Sequence, residues 1–460
     1  MSRASVTVKP RLKALGQQLE EWAHRGLDQH LRVGITGLSG AGKTAFITAL
    51  VHQLLKAERD HLPMWEVLAQ GRWLGAQRAR QPDLTLAPFD YDAAMSCLLA
   101  EPPSWPPSTR GISEIRLALR YRPGRGLRRQ FKESVTLYLD LVDYPGEWLL
   151  DLPMLAQDYG QWSEQAWARL THPTWRQSSE TWCEQVRALS GSEDAEVAGC
   201  AEHYGQLLGQ LRQQGATLLQ PGRALLPGEL AGTPVLAFFP LPPECDNEAL
   251  RALMTERFDA YCEQVVKPFY RHHFARFDRQ VVLVDCLTPL NQGRAPVEQM
   301  GMALKGVLDS FRYGPGSLLR RLFKPQIDKL LFAATKADHV SVDQHPNLLK
   351  LTQSLMGDAQ RQIRFAGGEV ETMVLSAVRA SEQGQVDDGR GPIPVIRGHR
   401  LDGQPLMRFP GEVPGALPPA EFWQGQGFDF VPLAPPKGTL PLPHMRMDHL
   451  LQWLLGDKLR

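Results

Sequence analysis

The stretch Gly37 to Thr44, GLSGAGKT, follows LRVGIT and fits G-x-x-x-x-G-K-[ST]. Glycines at this spacing let successive backbone N–H groups converge on one anion, and the helix that follows adds its positive end. The pattern sets the backbone of Gly37, Ser39, Gly40, Ala41, Gly42 and Ala45 around phosphates. It places Lys43 at the β- and γ-phosphates and the Thr44 hydroxyl on Mg²⁺. A glycine-rich turn is the plain alternative; a strand before the loop and a helix after it favour the phosphate reading.

In LYLDLVDYPGE, Asp143 ends an alternating β run and Gly146 completes D-x-x-G. A carboxylate at the carboxyl end of a strand beside the phosphate loop can hold Mg²⁺ through its waters. The Gly146 N–H can meet a γ-phosphate and lose it when that phosphate leaves, an order–disorder switch. In PPSTRGI, Thr109 is the candidate to close over Mg²⁺ and the γ-phosphate, with Ser108 as rival and a polar loop as the plain reading.

Thr335, Lys336 and Asp338 in FAATKADH fit [NT]-K-x-D after an apolar strand. The Asp338 carboxylate can accept from guanine N1–H and its 2-amino group, while the Lys336 stem packs along the base plane. Adenine presents a lone pair at N1 and no 2-amino group, so the mismatch is worth several kcal/mol, on the order of thousandfold. Ser376, Ala377 and Val378 in VLSAVRA follow the last strand, where their N–H groups could contact guanine O6. Alone, D-x-x-G and the serine triplet are weak signals; their order along the chain gives them weight.

These residues need a frame in which strand ends meet. LRVGITG, VVLVDCL, KLLFAATKAD and ETMVLSAVRA read as short apolar strands alternating with helical stretches. That pattern predicts an α/β fold of the P-loop NTPase kind, a mostly parallel sheet with helices on both faces and an inserted helical subdomain. SEIRLALRYRP and SVTLYLDLVDYPG read as a hairpin. The nucleotide-binding body is expected at residues 31–147 and 279–382, with an excursion at about 56–107, after an N-terminal helix over 1–30. A helical insertion at 148–278 carries Trp162, Trp167, Trp175 and Trp182 as core anchors, and Pro268 is expected to end or kink its last helix. Residues 383–460 are rich in Pro and Gly, with a hairpin around Asp402-Gly403 or an irregular extension. They close in an amphipathic helix whose Leu450, Leu451, Leu454 and Leu455, with Trp453, are expected to dock on the core.

At 460 residues the chain is long enough for two or three domains. A net charge of +1 exerts no global pull on nucleic acid, and no DNA partner is expected. Six scattered cysteines without a C-x-x-C pair suit a reducing cytoplasm better than a disulfide or zinc scaffold. No run approaches the ~20 apolar residues of a membrane span. Adjacent His272 and His273 diverge on a helix and lack partners at metal-ligand spacing. Arg116, Arg120, Arg122, Arg125, Arg128, Arg129 and Lys132 read as a solvated, charge-protected edge hairpin, with a footprint for acidic lipid, RNA or a protein partner as the sharper reading.

The motif order looks like a GTPase of the P-loop class. GLSGAGKTAFITALV paired with LDLVDYPGEWLLDLP and TKAD resembles the YcjX-like family of bacterial stress-associated NTPases over essentially the whole chain. The resemblance implies a Ras-like domain interrupted by helical insertions. It implies GTP or GDP with Mg²⁺ bound at Gly37–Thr44, Thr109, Asp143–Gly146, Thr335–Asp338 and Ser376–Val378. TKAD favours guanine; an ATPase with the same phosphate chemistry, and a scaffold that holds nucleotide without turnover, stay open. STRGI is also similar to switch I of heterotrimeric G-protein α subunits, where an arginine stands three residues before the switch threonine. Here that position is Pro106, and Arg110 follows the threonine instead. Ras-like proteins keep a water-orienting glutamine where this sequence has Glu147, which a γ-phosphate repels. The expectation is slow intrinsic hydrolysis, with an unidentified protein activator or effector supplying the missing charge.

Overall fold

The computed structural model describes residues 29–37, 40–108, 111–124, 133–189, 191, 193–311, 327–357, 359–365, 368–387, 389, 391–424 and 428–460. Residues 1–28 of the helix expected over 1–30 lie outside the described residues, as do Ser39, Thr109, Arg110, Arg125, Arg128, Arg129 and Lys132, while Gln29 and His30 belong to a strand and not to that helix.

Strands β1 (Gln29–Gly37), β2 (Trp73–Ala79), β3 (Ala87–Pro88), β4 (Ser113–Tyr121), β5 (Val135–Asp143), β6 (Arg279–Val284), β7 (Lys329–Ala334) and β8 (Glu369–Val374) build one sheet. Its order is β2-β4-β5-β1-β6-β7-β8, with β3 beside β4. Strand β1 pairs in parallel with β5 and β6, and β6, β7 and β8 continue in parallel. All five therefore end at one edge: Ile35 stands opposite Asp143, Gly37 opposite Leu283, and Val284, Ala334 and Val374 share one level. The β4–β5 hairpin is antiparallel, as is β2–β4, so the sheet is mixed. Strand β2 comes from the excursion, where WLGAQRA shows no clean alternation and only the edge of β4 gives it a partner.

Alternation within the buried strands sorts the two faces. Val281 and Leu283, with Leu31, Val33 and Ile35, pack under helix α1 (Lys43–Leu55) through Phe46, Leu50 and Leu54. Val282 and Val284 point the other way, into the core shared with the helical insertion. Helix α2 (Tyr91–Leu98) caps the excursion through the Asp90 side chain, which accepts from the Ala93 N–H.

Helix α3 (Gly146–Leu149) follows β5, and the inserted helical subdomain includes α4 (Tyr159–Leu170), α5 (Arg176–Arg187), α6 (Asp194–Gln213), α7 (Glu248–Tyr261) and α8 (Lys267–His272). Trp162, Trp167, Trp175 and Trp182 are buried in its core. Pro268 does not end the α7–α8 run; a π-helical turn over Cys262–Val266, just before it, accommodates the missing N–H. After β6 come α9 (Leu287–Gln292), α10 (Arg294–Phe311) and α11 (His345–Met356).

Beyond β8, strands β9 (Ser381–Asp387), β10 (Pro392–His399) and β11 (Pro405–Arg408) form a separate antiparallel sheet. The β10–β11 hairpin turns at Asp402-Gly403, with Gly403 at φ 84° and His399 opposite Pro405. Helix α12 (Met447–Leu455) buries Leu450, Leu451, Leu454 and Leu455 in the α1 layer. All six cysteines are free, and no helix of the described residues is long and apolar enough to cross a membrane.

Candidate functional site

The shared edge of the parallel strands opens into a cavity of about 620 Å³. Open α/β sheets place ligands in such crevices because loops diverge at the strand ends there. From β1, Gly37, Gly40, Ala41, Gly42, Lys43, Thr44 and Ala45 enter its wall. Gly40 and Gly42 have φ of 77° and 76°, left-handed values that a side chain resists. Gly42 is also the N-cap of α1, so the first turn of that helix lies at the cavity.

From β5, Asp143 is buried behind this loop and ion-paired to the Lys43 ammonium. Pro145 and Glu147 reach the wall, whereas Gly146 lies beneath it as the first residue of α3. Pro106, Pro107 and Ser108 form the facing wall, and the Thr44 hydroxyl donates to the Pro107 carbonyl at 3.1 Å. The Thr44 hydroxyl and Asp143 carboxylate are oxygen donors of the kind Mg²⁺ takes. No His, Cys, Asp or Glu group of three or more that could hold a metal occurs among the described residues.

From β7, Thr335, Lys336 and Asp338 line the opposite end, beside Ser376, Ala377 and Val378 from β8. Burial pushes the Asp338 carboxyl up, but His339, the Ala380 N–H and the Ser376 hydroxyl outweigh it and hold it below the usual carboxylate range. It is therefore a carboxylate facing the cavity. The His339 Nε2 accepts from the Leu433 N–H at 3.3 Å, so its proton sits on Nδ1 and donates to Asp338 at 3.1 Å.

Lys336 adopts φ 60°, left-handed for a residue with a side chain. Its ammonium is held 2.5 Å from Asp285 and lies 5.2 Å from the centre of the Phe430 ring; Asp285 is buried and also accepts from Thr288. Burial pushes Asp285 up, yet Lys336 and Thr288 keep it below its ordinary value.

Sequence reasoning missed several residues at this site. Asp285 had a signal, since it directly follows the apolar strand VVLV, much as Asp143 stands at the end of β5. His339, Phe430, Leu433 and Trp105 had none; they meet only because Leu401 and the Phe430–Leu433 segment come to the cavity wall, with the Trp105 indole donating to the Leu433 carbonyl at 2.7 Å. Met445 brackets Ser376 by two backbone bonds, so the segment before α12 steadies the third loop of the base end. Arg212, at the end of α6, also reaches the wall, 2.9 Å from Glu147.

Elsewhere, Arg116 is clamped by both oxygens of Asp140, at 2.6 and 2.7 Å, and Arg120 donates to Ser134, which engages part of the basic hairpin in its own structure. His272 is exposed while burial lowers His273 to about 4, so the adjacent pair faces two different environments.

A family model described as the YcjX-like family, DUF463, matches residues 31–459. The chain is 47% identical over 477 residues to the Ras-like GTPase YcjX of Shewanella oneidensis, covering 97% of this chain and 98% of that protein. It is 46% identical over 465 residues to the Ras-like GTPase YcjX of Escherichia coli K12, covering 98% and 100%. The chain belongs to the YcjX-like family, and its fold is the α/β P-loop NTPase fold with an inserted helical subdomain.

Proposed function

We propose that this member of the family binds GTP with Mg²⁺ and hydrolyses it slowly, as a switch that signals to a protein effector. The observation that carries the reading is that Lys43 and Asp338 face one cavity, with Asp143 paired to Lys43 behind it. Two relatives of nearly full coverage bear the name Ras-like GTPase, which points the same way.

In this reading the Gly37–Ala45 loop holds the phosphates, with Ser39 among its donors and Lys43 at the β- and γ-phosphates. Thr44 and Asp143 hold Mg²⁺, which when bound neutralises charge between those phosphates. Thr109 closes over the metal, and Gly146 senses the γ-phosphate. Asp338 selects guanine, the Lys336 stem covers its face, and the Ser376–Val378 loop meets O6. Glu147 stands where Ras-like proteins keep a water-orienting glutamine, and turnover is slow. The domain division belongs to the same proposal: a body at 31–147 and 279–382, a helical insertion at 148–278, and an extension at 383–460. A peripheral membrane contact through the basic hairpin would draw on Arg120 and Arg122, which are exposed.

A calorimetric titration of GDP, GTP and ATP with Mg²⁺ tests the ligand. Guanine selectivity supports the reading, and equal ATP affinity replaces it with an ATPase. Single-turnover phosphate release tests turnover: no excess of the wild type over Lys43→Ala would leave a nucleotide-holding scaffold.

A further inference from the structure

Glu147 and Arg212 come from separate parts of the chain, one from the first turn of α3 and the other from the last turn of α6. Their side chains meet at 2.9 Å in the wall of the cavity that also holds Lys43 and Thr44. Arg212 is steered there by its own helix. Leu207, Leu208 and Leu211 are buried and fix the rotation of α6, and Tyr204 donates to the Gln220 carbonyl at 2.9 Å. Gln220 in turn donates to the Leu150 carbonyl, and the Gly222 N–H bonds both oxygens of Asp151 at 2.8 and 2.9 Å. A Cβ at Gly222 would stand 2.2 Å from the Glu147 carbonyl oxygen, so the insertion presses backbone to backbone against the segment that carries Glu147.

The wall at this end holds a carboxylate that opposes a triphosphate, and a guanidinium that cancels its charge. Arginine offers several N–H donors in a planar fork that matches phosphoryl oxygens. The switch-I side presents prolines, Pro106 and Pro107, with no cation among its described residues at the wall.

We propose that Arg212 is a catalytic residue supplied in cis by the helical insertion, stabilising charge on the γ-phosphoryl group as it transfers to water, with Glu147 as the residue that positions it. This rests on the GTPase reading above. In the step, a water oxygen bonds to the γ-phosphorus while the bond from that phosphorus to the β–γ bridging oxygen breaks. The bridging electron pair stays on GDP, and the water proton leaves with inorganic phosphate or to solvent. Arg212 donates to the oxygens on which charge builds; pairing with Glu147 also cancels the repulsion that the carboxylate would exert. No second protein is then needed for the cation, in place of the external donor expected from the sequence.

The test uses the full chain without added protein, and GDP with aluminium fluoride as a probe of the transferring phosphoryl group, alongside single-turnover GTP hydrolysis. Wild type is expected to form the GDP–aluminium fluoride complex. Arg212→Ala and Arg212→Lys are expected to stay folded and to keep GDP affinity within about twofold, with Arg212→Ala melting lower because the buried Glu147 loses its cation. Both should lose the fluoride complex, and hydrolysis should slow by at least about 100-fold. Glu147→Gln, which leaves the guanidinium present, should retain the complex more strongly than either. Arg212 variants that form the complex and hydrolyse GTP at the wild-type rate would overturn the assignment. So would a wild type that forms no complex alone, or variants that lose GDP affinity and fluoride complex in equal measure. Failure of wild type to bind GTP at all would instead remove the GTPase reading beneath it.

Discussion

Lys43 and Asp143 are ion-paired across one hundred positions of sequence, joining the phosphate loop after β1 to the end of β5. The carboxylate is buried and the ammonium nearly so. A nucleotide with Mg²⁺ would draw the lysine to phosphate and replace its charge beside Asp143 with the metal. Lys43→Ala is expected to lower GTP affinity at least about 100-fold and to cost about 1–3 kcal/mol of stability in the nucleotide-free protein, because a buried carboxylate loses its cation. Calorimetry and denaturant unfolding read the two effects; an unchanged GTP affinity removes Lys43 from the site.

Asp338 is held ionised by its neighbours. Asp338→Ala is expected to erase guanine preference, on the order of thousandfold, with GTP weakened and ATP unchanged. Asp338→Asn puts an amide donor toward guanine's donors, and it should instead favour xanthine, whose 2-oxygen accepts. Competition among the three nucleotides measures this; retained guanine selectivity in both variants would assign the base to other groups.

Asp285 holds the ammonium of Lys336, whose backbone is left-handed, and in the proposed reading it acts on the base through that lysine. Asp285→Asn removes the charge but keeps the shape. The expected result is a loss of about tenfold that is equal for GDP and GTP, since the phosphate end is untouched, with about 1–2 kcal/mol of stability lost. A loss confined to GTP would place Asp285 with the phosphates instead.

Burial raises Asp151 to about 7, against the bonds from Tyr261 and the Gly222 N–H. Because the folded state holds this proton where the unfolded chain has lost it, Asp151 makes stability fall as pH rises from 3.8 to about 7 and is level above that. The full span corresponds to at most about 4 kcal/mol. Burial drives Glu114 the same way, to about 7, while burial of His273, lowered to about 4, makes stability rise with pH toward 6.5. The difference between wild type and Asp151→Asn isolates the first group. Urea unfolding at pH 5 and pH 8 should show the variant gaining relative to wild type as pH rises; a constant difference would mean Asp151 does not titrate in that range.

The parallel strands and their order of motifs were legible because both are local. Apolar runs four to seven residues long mark buried strands, and phosphate-loop glycines must sit between a strand and a helix to work. The hairpin at Asp402-Gly403 and the docking of α12 were legible for the same reason, in a turn dipeptide and in a one-sided leucine pattern. The π turn before Pro268 was not, since a proline says that a hydrogen bond is missing and leaves open how the chain makes room.

What sequence alone picked out is a set of groups that the fold brings to one cavity or directly behind it: Lys43, Thr44, Asp143, Lys336, Asp338 and Ser376, each announced by its immediate neighbours. Tertiary structure decided what holds them. The Asp285 clamp, the Phe430 and Leu433 cover and the placing of Arg212 against Glu147 all join segments far apart in the chain. Periodicity and motif spacing carry no information about which distant surface a side chain will face. That is fixed by which faces of the sheet and helices must be buried together, and only the packed chain expresses it.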